Sequence, residues 1–373
     1  MRDAGTPTIC SMKMKTLIKT VSREHPEEEV IEEAARILRE GGLVAFPTET
    51  VYGLGGDARN PLSSRKIYAA KGRPSDNPLI VHIADMEHLP PIVREIPETA
   101  RVLAERFWPG PLTMIFRKTD EIPDETSGGL PTVAVRMPSD PVAAALIRAS
   151  GGYVAAPSAN TSGRPSTTRA SHVIEDLMGR IEMILDGGDA DIGLESTIVD
   201  CTEAVPVILR PGYISRGMLE EAVGEVRIDP GILEENADKH VRPKAPGMRY
   251  RHYAPKAPVT IVEGAPEDVV RTINRLTEEA ARKGQKTGVL AAEETAPRYR
   301  ADLVCPLGSI ADEDAIAQHL FAALRDFDSE SCDVIFSEAF ETPRIGTAIM
   351  NRLLKAAGHR TIPAEEGTEP VRV

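Results

Sequence analysis

The hydrophobic positions form two stretches of alternating helix and strand pattern, separated by a stretch with neither. Between Pro26 and Arg39, Val30, Ile31, Ala34, Ile37 and Leu38 recur at helical spacing. Acids precede them and Gly41-Gly42 follows, so a helix is predicted there. LVAFPTETVYGLGG reads as a short buried strand entering a turn and a glycine loop. PLSSRKIYAAKGRP predicts a second helix that must stop before Pro74, because the residue before a proline is driven out of helical backbone. Apolar, β-branched runs predict strands at NPLIVHIA, LTMIFRK, TVAVRMP, GYVAAPSAN, MILDGG, STIVDC and VPVILRPG, with helices near 98–106, 140–149 and 170–178. Together they make one α/β domain with mixed strand directions, ending near Asp229.

Residues 230–258 carry Pro230, Pro243, Pro246, Pro255 and Pro258 without periodicity, which is the composition of a linker. The pattern then restarts: VTIVEG, KTGVLAA, DLVCPLG and CDVIFSEAF read as strands. EDVVRTINRLTEEAARKG, DEDAIAQHLFAALRDFD and TAIMNRLLKAAG read as helices between and after them, so a small, mostly parallel sheet is expected. The organisation is a flexible tail (1–22), a first domain (23–229), a linker (230–258) and a second α/β domain (259–373). Met12 and Met14 are alternative starts.

A length of 373 residues, 41% of them hydrophobic, fits two domains that each bury a core. No run of about 18 apolar residues is present and MRDAGTPTIC lacks an apolar signal core, so a cytoplasmic protein with no membrane association is expected. Cys10, Cys201, Cys305 and Cys332 are scattered, which excludes a zinc ribbon or a disulfide scaffold. The net charge of −13 argues against a protein devoted to wrapping nucleic acid. That charge is unevenly spread. Residues 1–228 hold 25 basic and 33 acidic side chains, residues 229–258 hold 6 and 4, and the remainder 13 and 20. The linker is the basic stretch, with Arg242, Lys244, Arg249, Arg251 and Lys256 and no acid among them.

Two loops carry candidate chemistry. Lys71-Gly72-Arg73-Pro74, leading to Asn77, combines two cations, a glycine and a rigid proline, a set that suits an anion and equally suits a solvated helix stop. Ser158, Asn160 and Ser166 follow an apolar strand and fit either a ligand crevice or a turn with a helix cap. Neither loop is a phosphate-binding P-loop, and no G-x-G-x-x-G follows a strand. In TVAVRMP, alternation places Thr132, Ala134 and Arg136 on one face. Buried there, Arg136 needs a partner, either a structural acid or a substrate carboxylate. His82, alone on its strand, fits a satisfied core histidine as well as a ligand contact.

FPTETVYGLG (46–55), K-x-R at Lys71 to Arg73 followed by NPLIVHI (77–83), WPGPLT (108–113), TVAVRMP (132–138), S-x-N at Ser158 to Asn160, ESTIVD (195–200) and LRPG (209–212) occur in one order. Together they resemble the YrdC-type threonylcarbamoyl-AMP synthases. APGMRYRHYAP (245–255) and the domain beyond it resemble the longer, two-domain members. The resemblance implies a YrdC-like mixed-sheet catalytic domain followed by a smaller Rossmann-like α/β domain. It also implies that L-threonine, bicarbonate and ATP, with Mg2+ on the nucleotide, give threonylcarbamoyl-AMP and pyrophosphate. The product would pass to a separate transferase complex that modifies tRNA next to the anticodon, tRNA itself not being bound tightly here.

Residue by residue, the resemblance implies Lys71 and Arg73 as the catalytic cations. Arg73, Asn77, Thr132, Ser158, Asn160, Ser166, Arg210 and Tyr253 would hold ATP. Thr50, His82, Arg136, Ala156 and Ser196 would hold L-threonine, and no protein-ligated metal is implied. Tyr253, with His252 and Arg251, would close the linker over the nucleotide. The alternatives are an RNA-binding module of the same fold without turnover, a nucleotide-binding regulator, and a hydrogenase-maturation carbamoyltransferase. The last of these carries zinc-finger cysteines and an acylphosphatase segment that this chain lacks.

Overall fold

The computed structural model describes residues 14–233, Ala245 and residues 252–365. The first 13 residues and the linker bases Arg242, Lys244, Arg249 and Arg251 lie outside the described residues. No helix among the described residues is long and apolar enough to cross a membrane.

Eleven strands build the first sheet: β1 (Leu17–Thr20), β2 (Val44–Phe46), β3 (Gly53–Asp57), β4 (Ile80–His82), β5 (Leu112–Arg117), β6 (Thr132–Arg136), β7 (Val154–Ala155), β8 (Met183–Asp186), β9 (Thr197–Asp200), β10 (Val207–Arg210) and β11 (Arg227–Ile228). Their order is β1-β8-β2-β3-β7-β4-β6-β5-β9-β10-β11, with parallel and antiparallel pairs mixed. Helices cover both faces. Leu38 and Leu146 pack with Phe46 on one side, and Leu103, Phe107 and Leu177 pack with Tyr52 and Leu54 on the other.

β12 (Val259–Glu263), β13 (Thr287–Ala291), β14 (Leu303–Pro306), β15 (Val334–Glu338) and β16 (Thr361–Pro363) form the second sheet in the order β14-β13-β15-β12-β16. Every pair in it is parallel, so the sheet goes beyond the expected mostly parallel arrangement. Three helices, Pro266–Arg282, Glu313–Ser329 and Gly346–Ala357, make its crossovers. The core of this domain is not private. Val51 and Leu194 of the first domain and Tyr253 of the linker pack into the cluster built around Leu320, Phe321, Phe327 and Ile349.

Two expectations are corrected. The flexible tail assigned to residues 1–22 does not hold for its second half, because Leu17–Thr20 pairs in parallel with Met183–Asp186 and Val21 is buried. Four residues containing a lysine are too short a pattern to announce such a strand. The GLGG run is strand β3 rather than a loop. A Cβ at Gly55 would meet Phe46 at 2.8 Å and Val154 at 2.9 Å, so glycine permits the close packing of neighbouring strands. The helix Arg216–Val223 and strand β16 were not foreseen.

Candidate active site

β4 and β6 are parallel, β5 opposes β6, β9 parallels β5 and β10 opposes β9. β4, β6 and β10 therefore run the same way. Their last residues are His82, Arg136 and Arg210, which places a histidine and two arginines along the carboxyl ends of three strands, where open α/β sheets bind ligands. Register sets His82 beside Arg136 and Arg136 beside Thr113. An irregularity between Ile208 and Arg210 re-aims the end of β10.

The helix Pro61–Lys71 delivers the K-x-R pair. Asn60 caps it by accepting from Leu62 N, and Gly72, at φ 63°, ends it in left-handed backbone that a side chain rarely adopts. Lys71 is thereby held at the last turn, buried, with Nζ 2.5 Å from the Ser158 and Asn160 carbonyl oxygens. Burial and neighbouring Arg73 push its ammonium well below the ordinary lysine range. Arg73 donates to the Asn77 carbonyl at 3.2 Å and the Pro78 carbonyl at 3.0 Å. Burial lowers both Arg73 and Arg210 to about 10. Arg210 reaches Ser196 O from Nε (3.1 Å) and Nη2 (3.0 Å), and Ser196 Oγ lies 2.7 Å from Thr113 Oγ1.

Arg136 donates from Nη1 to Thr50 Oγ1 at 2.8 Å and pairs from Nη2 with the buried Glu49 carboxylate at 2.7 Å. The acid that buried Arg136 requires is thus structural, and Glu49 is a site residue that sequence reasoning did not single out. His82 Nδ1 sits 3.2 Å from Ile80 O. Burial and the Arg136 charge lower the ring to about 3, so it is neutral at physiological pH.

One cleft gathers Thr50, Lys71, Arg73, His82, Arg136, Ala156, Ser158, Asn160, Ser166, Ser196, Arg210 and Tyr253. Ala156 lines it with its N–H already donated to Ile80 O. Two expected ligand contacts are absent from the wall. Asn77 is buried, its carbonyl held under Arg73, and Thr132 starts β6, opposite Arg117, four residues up the strand from Arg136. Four residues of strand is about 13 Å. The cleft also contains Glu195, Thr48 and Arg164, which sequence reasoning passed over. Ser166 Oγ donates to Glu195 Oε1, and the carboxyl, which burial alone would raise, is held below its usual range by Arg352 and Arg210. Tyr253, at φ 63°, lies 5% exposed at the mouth, its ring 5.1 Å from that of Phe321. The remaining cavity is about 60 Å3.

Cations and hydroxyls that share one cleft with an arginine, a neutral histidine and two threonines form a donor set that suits a polyanion beside a small carboxylate. Comparison with known proteins supplies the family. A family model described as "Telomere recombination" matches residues 36–212, and one described as "Threonylcarbamoyl-AMP synthase, C-terminal domain" matches residues 214–358. Two proteins named threonylcarbamoyl-AMP synthase are each 50% identical. The one from Bacillus subtilis aligns over 89% of this chain and 94% of its own length, and the one from Pyrococcus abyssi over 91% and 97%. A crystal structure of the Pyrococcus abyssi relative complexed with L-threonine superposes with TM-score 0.88 at 49% identity, covering 94% of this chain and all of the other. The chain belongs to the threonylcarbamoyl-AMP synthase family, in its two-domain form.

Proposed function

We propose that this chain converts L-threonine, bicarbonate or CO2, and ATP into L-threonylcarbamoyl-AMP and pyrophosphate. The observation that carries the reading is one cleft lined both by the cations Lys71, Arg73 and Arg210, which suit phosphate, and by Thr50, His82, Arg136 and Ser196, which suit an amino acid. Arg136 recognises the threonine carboxylate, with Glu49 behind it fixing the guanidinium. A neutral His82 accepts or donates a hydrogen bond without adding charge. The threonine amine, as a free base, attacks the carbon of CO2, whose C=O π pair passes to oxygen while the amine proton leaves to solvent, or that of bicarbonate, whose hydroxyl leaves with the amine proton as water; either route gives the carbamate. A carbamate oxygen then attacks the α-phosphorus, and the bond to the β,γ-diphosphate breaks. No covalent side-chain intermediate is needed, so the protein acts by positioning and by stabilising phosphate charge.

Mg2+ belongs to this scheme as a companion of ATP. Among the described residues no three His, Cys, Asp or Glu side chains cluster, and the one carboxylate lining the cleft, Glu195, is bonded to Arg352 and Ser166. The chain's donor set therefore suits phosphate oxygens, and the ion, carried on them, would offset part of their charge. The product would be handed to a tRNA-modifying transferase.

A cavity of about 60 Å3 is far below the roughly 300–1,000 Å3 of ligand pockets, so ATP binding requires the cleft to widen, and the segment bearing His252 and Tyr253 is our candidate for the part that moves. The decisive experiment measures pyrophosphate release with ATP, bicarbonate and each amino acid in turn. Release that requires threonine supports the reading, and release indifferent to the amino acid defeats it.

A further inference from the structure

The second domain inserts two arginines into the first, and both are almost completely buried: Arg325 at 2% exposure and Arg352 at 0%. Arg325, on the helix Glu313–Ser329, forks onto Asp176, with Nη1 3.1 Å from Oδ1 and Nη2 2.9 Å from Oδ2, and also donates from Nη2 to the Pro165 carbonyl at 2.7 Å. Asp176 in turn accepts from Thr161 N at 2.9 Å and pairs with Arg164. Asn160 Nδ2 closes the same loop by donating to the Thr161 and Arg164 carbonyls. Arg352, on the helix Gly346–Ala357, donates from Nε to Glu195 Oε2 at 3.1 Å, from Nη2 to Glu195 O at 3.2 Å, and from Nη1 to Pro211 O. Glu195 accepts from Ser166, and its chain neighbour Ser196 supplies the carbonyl that orients Arg210.

Interface adhesion alone would not select these residues, because burying a guanidinium costs several kcal/mol that an apolar side chain of equal volume avoids. What the forks add is direction. Each ends on a carboxylate that itself fixes a group in or beside the cleft wall, Thr161 and the loop through Asn160 in one case and Ser166 in the other. Neither arginine bonds Thr50, His82 or Arg136, and of the residues assigned to threonine Ser196, the chain neighbour of Glu195, stands nearest the Arg352 fork.

We propose that Arg325 and Arg352 are positioning residues for the nucleotide end of the cleft, which makes the second domain a working part of the active site. This rests on the reading that the cleft takes ATP at its cationic end and threonine at the other.

The test uses the full chain with Arg352→Met, Arg325→Met and Arg352→Lys, the last keeping the charge and losing the fork. KM for ATP, KM for threonine and thermal midpoint are measured beside the unaltered protein. The expected result is a rise in KM for ATP of about tenfold to 100-fold with KM for threonine within about twofold. Adding Ser166→Ala to Arg352→Met should then change KM for ATP by less than about twofold, because the hydroxyl has already lost its orientation. An unchanged KM for ATP, or equal loss of affinity for both substrates, overturns the proposal. If the methionine variants do not fold, Arg352→Lys is read by the same criteria. Should the unaltered protein show no threonine-dependent pyrophosphate release, the reading of the cleft falls. Should it show that release while the variants keep the parental KM for ATP, only the positioning role falls.

Discussion

At the scale of single residues, the ion pair Arg136 makes with Glu49 and its proposed hold on the threonine carboxylate can be separated by substitution. Arg136→Gln leaves Glu49 buried without its cation, which costs on the order of 3–5 kcal/mol and removes the carboxylate partner for threonine. Adding Glu49→Gln should restore most of the thermal stability while threonine affinity, measured by calorimetry, stays lost. Recovery of both would show that Arg136 serves the fold alone. Arg73→Ala, on a half-buried loop side chain, should lower turnover by about 100-fold or more with little change in thermal midpoint. Retained turnover would remove Arg73 from the phosphate site. His82 makes a prediction about acid. Its folded value near 3 lies below the ordinary 6.5, so between these the unfolded chain binds more protons and stability falls as pH drops through that window. His82→Asn should flatten the stability profile between about pH 6.5 and 3, as followed by denaturant midpoints.

At the scale of elements, the pattern along the chain announced the strands that end in His82, Arg136 and Arg210, because each is an apolar run interrupted by one polar residue at its carboxyl end. Other elements left too little trace. Leu17–Thr20 is four residues with a lysine, and β16 is three residues with a proline. Arg325 and Arg352 were not singled out for a different reason: on a helix, an arginine reads as a solvated face. The available signal was placement, since Arg325 follows Phe321 by four residues and Arg352 follows Ile349 by three, which puts each cation on an apolar stripe. The segment before β12 invites its own test. Ala254 N donates to Gly163 O at 2.9 Å and Lys256 N to Asp328 Oδ1 at 2.7 Å, so Tyr253 is pinned between the domains. Tyr253→Ala should raise KM for ATP and shorten the lifetime of the adenylate in quenched-flow measurements. If neither moves, the lid role is gone.

At the scale of the whole molecule, one core cluster and two arginine forks cross between the sheets, so the two domains should unfold together. Calorimetry should record a single transition whose measured and van't Hoff enthalpies agree; two resolved transitions would show that the interface adds little to cooperativity. The closeness of that interface shows at Gly193, at φ 77°, where an added Cβ would stand 2.4 Å from Gln318 Cα and 2.7 Å from the Ala317 carbonyl oxygen. Both the backbone conformation and the helix opposite exclude a side chain. In a saturation library selected for activity, this glycine would look as intolerant as the arginines lining the cleft although it does not line it. A map of forbidden mutations would thus extend from the cleft to the face where the first domain meets the helix Glu313–Ser329.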